Sequence, residues 1–269
     1  MVITTTPQRL PLLRRIIARP STILLRGTLD DNRRNLTEET LRELHDSYDG
    51  TDIGRQELEG ILLDDVEGSL WRRPWIEEPR IRPQSTDTGG VLQALERVGV
   101  TLSQVVLAID PSTTAGDRSD ACGLVVAAEG NAPRGGAVDE RRHYYVLEDL
   151  TARVSPAKWA HSAVQAYHRW GCGRVVAETT KGGEAIEALL HHHDDGIRVI
   201  RRGGSDGKIL RAEPVAALYE QRRVHHVGSF ADLETELTDY TQGARSPNRM
   251  DALVWAVRDL HEGRAAFSW

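Results

Sequence analysis

Residues 105–150 read VVLAIDPSTTAGDRSDACGLVVAAEGNAPRGGAVDERRHYYVLEDL. Three strand-like runs lie within this stretch, Val105–Asp110, Gly123–Ala128 and His143–Leu150, separated by polar or Gly-rich loops, and the first is short and β-branched. Runs of this length and composition predict buried strands, and their close succession predicts a three-stranded meander. The first run ends on Asp110, where apolar surroundings give way to a loop that water can reach.

Downstream the pattern alternates. A helix is predicted from about Pro156, with Trp159, Ala163 and Tyr167 recurring every four residues, then a strand at Arg174–Glu178 and a helix at Gly183–Leu190. A strand at Ile197–Arg201, a helix from Lys208 to Gln221 and a short strand at Val224–Val227 follow. Helices over Ala231–Tyr240 and from Pro247 close the chain. A meander followed by alternating helices and strands predicts an α/β fold, a ribonuclease H-like mixed β-sheet flanked by helices, over residues 105–269.

Upstream of this domain the reading is less regular. Residues 1–71 predict a helical and irregular extension. It opens on the strand-like MVITTTP and the basic helical RLPLLRRIIARP, with Thr37 as a helix N-cap before Leu41 and Leu44. Residues 72–104 are rich in Pro, Gly, Ser and Thr around one short helical run, VLQALERVGV, and predict a linker or mobile arm.

Composition excludes several function classes. The formal net charge of −6 argues against uniform coating of DNA, while leaving room for a local basic strip. No apolar run approaches the roughly 18–20 residues that span a bilayer, and no signal peptide opens the chain, so a cytoplasmic location is expected. Cys122 and Cys172 lie in or beside predicted strands without metal-ligand spacing and read as reduced core thiols.

Three carboxylates mark the ends of buried elements: Asp110, Glu178 at the close of RVVAE, and Asp251 in SPNRMDALVWAV. Gathered together, such acids form an oxygen-rich site for Mg²⁺ or Mn²⁺. Each also has an ordinary use: Asp110 as a turn cap before Pro111, Glu178 in an ion pair, and Asp251 as compensation of a helix dipole. Ser246 as N-cap with Pro247 at the first helical position places Asp251 in the second turn. Asp117 and Asp120 return carboxylates to the loop after Asp110, and Asp120 is favoured as a further metal ligand or loop cap.

Basic residues supply the second theme. Lys181, beside the Gly182–Gly183 pair, and Arg202, Lys208 and Arg211 are candidate DNA contacts, in a strip with Arg198, Arg201, Arg222 and Arg223. The same residues also read as a solvated face. GGSDGKI imitates a nucleotide-binding loop, but its spacing is one residue short and Ile209 stands where a hydroxyl is needed. His191–His193 read as a solvated helix end, and His225 and His226 alternate across a strand, so at most one could face the acids.

The segments AIDPSTTAGDRSDACG, VVAETTKGGEAIEALL, KILRAEPVAALYEQRRVHHVGSFADLETEL and SPNRMDALVWA resemble, in order and approximate spacing, the C-terminal nuclease domain of large terminase subunits of tailed bacteriophages. The resemblance implies two-metal cleavage of concatemeric double-stranded DNA, with catalytic acids at Asp110, Glu178 and Asp251. In that scheme Asp110 bridges two ions and the other two acids each complete one shell. VITTTP and residues 27–71 resemble the end of the packaging ATPase, although its phosphate-binding loop does not appear in these 269 residues. Expected partners are DNA, a portal protein, the small terminase subunit and further copies in a motor, within the bacterial host cytoplasm. Competing expectations are a catalytically idle docking module for portal or small subunit, and another ribonuclease H-like nuclease such as a resolvase or transposase.

Overall fold

A computed structural model describes residues 15–25, 27–38, 41, 69–111, 121–134, 139–178, 183–203, 208–241 and 247–263. The chain divides into two compact units, residues 1–67 and 68–269. In the first, a 3₁₀ helix over Asp30–Asn35 is entered through a local turn, where Asp31 Oδ2 accepts from the Thr28 N–H at 2.8 Å and from its hydroxyl at 3.0 Å. The Leu41 N–H donates to the Thr37 carbonyl at 3.0 Å, in keeping with a helix starting there. The strand-like opening MVITTTP and Leu44 lie outside the described residues.

The second unit is built on one six-stranded sheet: β1 (Leu102–Asp110), β2 (Gly123–Gly130), β3 (His143–Asp149), β4 (Arg174–Glu178), β5 (Val199–Arg202) and β6 (Val224–His226). The spatial order is β5-β4-β1-β2-β3-β6. β1, β2 and β3 are antiparallel neighbours, whereas β1–β4, β4–β5 and β3–β6 are parallel. The meander and the alternation after it are therefore as the sequence predicts. The strands that depart most are β1, three residues longer at its start, and β5, which begins two residues later at Val199.

Successive residues of a strand face opposite sides, so the sheet has two cores. Val106, Ala108, Val125, Ala127, Tyr144, Val146 and Val176 point to one side. There they meet α1 (Arg73–Glu77), α5 (Lys208–Glu220), α6 (Ala231–Asp239) and α7 (Asn248–Glu262). Leu107, Ile109, Leu124, Val126, Tyr145, Val175 and Ala177 point to the other side, under α2 (Thr88–Arg97), α3 (Pro156–Trp170) and α4 (Gly183–His191). α7 is buried on nearly every face, as expected of a helix packed on a sheet and covered by others.

Residues 72–104 do not form a linker. Ile76 of α1, Ile81, and Val91, Ala94 and Leu95 of α2 are all buried, in one or other of the two cores. Asp87 caps α2 by accepting the Gly90 N–H at 2.8 Å, and Ile81 bridges to Val227 beside β6. Pro and Gly here punctuate short packed elements instead of a solvated arm. Cys122 and Cys172 are free and buried, and burial pushes the Cys172 thiol up to about 12. No helix among the described residues is long and apolar enough to cross a membrane.

Candidate nuclease site

The alternation that builds the two cores also aims the acids. Asp110 shares its parity with Val106 and Ala108, and Glu178 shares its parity with Val176, so both belong to the face covered by α7. β1 and β4 run parallel with Ile109 opposite Ala177. Their final residues, Asp110 and Glu178, therefore stand side by side at the C-terminal end of the sheet. Asp110 is buried, at 6% exposure, and Glu178 is half-buried.

Asp251 reaches the same end from the helix layer. Gly123 is the register partner of Asp110, and it lies so close to α7 that an added Cβ would overlap the Asn248 carbonyl and sit 3.1 Å from the Ala252 methyl. The first turn of α7 is thus laid over the strand end that carries Asp110. The Asn248 side-chain amide also donates to the Ala121 carbonyl. The helix begins one residue later than predicted, with Pro247 as the cap residue, so Asp251 is in the first turn and only 4% exposed.

A second device, missed in the sequence reading, holds this turn. Glu236 of α6 accepts the Arg249 N–H at 3.1 Å and the Met250 N–H at 3.3 Å, capping α7 from outside. The Arg249 guanidinium binds Glu236 at 2.9 Å, Asp149 of β3 at 3.1 Å and Asp232 at 3.3 Å. Burial pushes the Glu236 carboxyl up, against the pull of Arg249. The signal was present as acids at i and i+4 in ADLETEL, but only the fold shows which helix end they serve.

Asp110, Glu178 and Asp251 thus converge on one face and one end of the sheet. Their hard oxygen donors, two of them buried, are of the chemistry that Mg²⁺ or Mn²⁺ takes. Among the described residues, however, no three His, Cys, Asp or Glu side chains are drawn together tightly enough to hold an ion. Asp117, Asp120 and Lys181 lie outside the described residues. His225 and His226 do not approach the acids, because β6 is at the far edge of the sheet from β4, three strands from β1.

The expected basic strip is divided. Arg201 turns to the α4 side and pairs with Glu187 at 2.5 Å. Arg222 pairs with Glu78, and Arg223 donates to the Arg142 carbonyl at 3.0 Å, near the opposite edge of the sheet. Arg202 stays on the α7 side, in register with Glu178, and binds Asp259 at 2.7 Å. Arg211 of α5 is 5% exposed and stacks over the Trp255 ring, 4.9 Å from its centroid. Lys208 starts α5, and its side chain lies outside the described residues.

Among solved structures, the nuclease domain of the large terminase subunit gp2 of bacterial virus Sf6 is 16% identical, over 69% of this chain and 96% of that one, with a TM-score of 0.47. The human cytomegalovirus terminase nuclease domain, Mn-soaked and inhibitor-bound, is 12% identical over 61% of this chain and 86% of that one, with a TM-score of 0.45. The large terminase of a thermophilic bacteriophage is 12% identical over 87% of this chain and 54% of that one, also at a TM-score of 0.45. These are likenesses only, and no curated protein matches the chain. The sequence model described as the terminase RNaseH-like domain matches residues 107–260, which spans all three acids and more than half of the chain. On that match, the protein belongs to the terminase RNaseH-like domain family.

Proposed function

We propose that this chain is a divalent-metal-dependent endonuclease that cuts concatemeric double-stranded DNA during phage genome packaging. Asp110, Glu178 and Asp251 are its catalytic and metal-holding carboxylates, and Asp120 is a candidate further ligand. The observation that carries the reading is the convergence of these three acids, from β1, β4 and α7, within the segment matched by the terminase family. Mg²⁺ or Mn²⁺, as two ions when bound, supplies an activated water and neutralises charge on the leaving oxygen.

The chain's own contribution is placement. The β1–β4 ladder sets Asp110 beside Glu178, and the contact of α7 with Gly123 brings in Asp251. Partial burial of the acids removes competing water and strengthens their field. Lys181, Arg202, Lys208 and Arg211 are the proposed DNA contacts, acting on phosphates without reading sequence. The portal protein, the small terminase subunit and further copies of the chain in a packaging motor are its proposed partners in the host cytoplasm, on the strength of family membership.

The test is nicking of a supercoiled plasmid with Mn²⁺ or Mg²⁺, comparing the wild type with Asp110→Asn, Glu178→Gln and Asp251→Asn. Metal-dependent nicking by the wild type and loss of at least about 100-fold in each variant are expected, since even residues that only orient metal ligands cost 10–100-fold. Equal activity in all four proteins removes the assignment.

A further inference from the structure

Along α7 beyond Asp251, a cavity of about 100 Å³ is lined by Arg202, Arg211, Trp255, Arg258, Asp259 and Glu262. It lies along one stripe of α7. Asp251, Trp255, Asp259 and Glu262 follow at helical spacing, so Trp255 is one turn beyond the proposed metal ligand, about 6 Å along the axis. Two of the cavity's arginines are already engaged with acids. Arg258 binds Glu262 at 2.6 Å, and Arg202 shares the Asp259 carboxylate with Arg174, each at 2.7 Å. One carboxylate between two guanidiniums leaves positive charge in excess.

Arg211 differs from both. It is 95% buried, yet among the described residues its guanidinium makes no ion pair or hydrogen bond; its contact is the face of Trp255. Stacking on an indole is attractive, but it satisfies none of the five N–H donors of a guanidinium. Buried charges without partners are costly, and interiors retain them where something completes them. The donors of Arg211 open onto a cavity with excess positive charge, which suits an anion with several acceptor oxygens.

We propose that this cavity is a phosphate site, in which Arg211, held flat by Trp255 and flanked by Arg202 and Arg258, binds one backbone phosphodiester of the DNA strand that enters the acidic site. The inference rests on the reading of the chain as a DNA nuclease and adds a defined anchor to it. A phosphate fixed here sets the register of the strand against Asp251. Lys in place of Arg211 keeps the charge but loses the planar fork and most of the stacking.

The experiment is equilibrium binding of a short DNA duplex without divalent metal, over a salt series, for wild type, Arg211→Gln and Arg211→Lys, with plasmid nicking alongside. Arg211→Gln is expected to weaken binding about ten-fold at low salt and to reduce the slope of log K against log salt by about 0.9. Arg211→Lys is expected to keep the slope. A parallel arm titrates inorganic phosphate into wild-type protein and follows the arginine Nε–H signals by NMR, which needs no variant to fold. Wild type that nicks and binds DNA while Arg211→Gln keeps its affinity and slope overturns the phosphate site and leaves the nuclease reading standing. Perturbation of Arg211 by phosphate without any change in DNA slope assigns the cavity to a free phosphate and overturns the strand contact. No DNA binding or nicking by wild type overturns the nuclease reading itself, and the strand contact with it.

Discussion

Asp110 and Gly123 are register partners across the β1–β2 ladder, and the missing side chain at Gly123 admits the Asn248 carbonyl of α7. The helix that carries Asp251 therefore rests on the strand end that carries Asp110. One glycine sets the distance between two acids that are 141 positions apart in sequence, from 110 to 251.

Gly123→Ala tests that dependence. The new methyl would overlap backbone, which cannot swing aside as a flexible side chain would. Overpacking of this kind costs about 1–3 kcal/mol, measurable by urea unfolding. Metal-dependent nicking should fall more than stability does, because the shift is confined to the first turn of α7. A variant with unchanged nicking would show that Asp251 need not be placed from Gly123.

Metal addition gives a second test, independent of cleavage. An ion that binds only the folded state stabilises it by about 2.7 kcal/mol at a hundred times its Kd. For a domain of this size that raises Tm by about 5–10 °C. The expected outcome is a Mn²⁺-dependent rise in wild type that is absent in Asp110→Asn. An equal rise in both would place the binding elsewhere.

The strands and helices were legible because the apolar periods of two and 3.6 are local properties. Even the faces of Asp110 and Glu178 follow from parity with Val106, Ala108 and Val176. Residues 72–104 misled because Pro and Gly density marks turns without saying whether the segments between them are buried. Asp87, Ile81 and Leu95 carried the contrary signal, a cap and an apolar stripe. The basic strip is divided for a different reason. Arg201 and Arg202 are adjacent in sequence and so face opposite sides of the sheet, and β6 lies at the far edge from β5. Nothing local distinguishes Arg211 from its neighbours; its burial against Trp255 depends on how α5 packs on α7.

Asp259 is a structural anchor about two turns along α7 from Asp251. Its carboxylate is 2% exposed and joins Arg174, at the start of β4, to Arg202, at the end of β5. Asp259→Asn leaves two guanidiniums without their shared counter-charge. Breaking a buried pair from one side costs about 3–5 kcal/mol, and the partial exposure of Arg202 favours the lower end. Thermal unfolding in low and high salt is the measurement. A loss within experimental error would mean that Gln104, which accepts from Arg174 at 2.9 Å, suffices to hold that end of the sheet.

Acid should weaken the fold first at the far edge of the sheet. The His225 ring lies near-parallel to those of His143 and Tyr145, with ring centroids 5.1 and 5.0 Å away. Its Nδ1 meets the Pro79 carbonyl at 2.8 Å, which can only accept, so Nδ1 donates and Nε2 accepts from His143 Nδ1 at 2.8 Å. Burial above all pushes His225 down to about 4, and the neighbouring His143 and His226 add to the effect. Protonation would also set two donors against each other at Nε2. A histidine whose folded pKa lies below its unfolded value of about 6.5 leaves the unfolded chain binding more protons between those values, so stability falls as pH drops from 6.5 to 4. The loss is about 3 kcal/mol for a fall of that size, and it stops below pH 4, where both states are charged. Urea unfolding at pH 7, 5.5 and 4.5 should show a shallower pH dependence for His225→Gln than for wild type, together with lower stability at pH 7. Parallel pH profiles for the two proteins would exclude His225 as the group responsible.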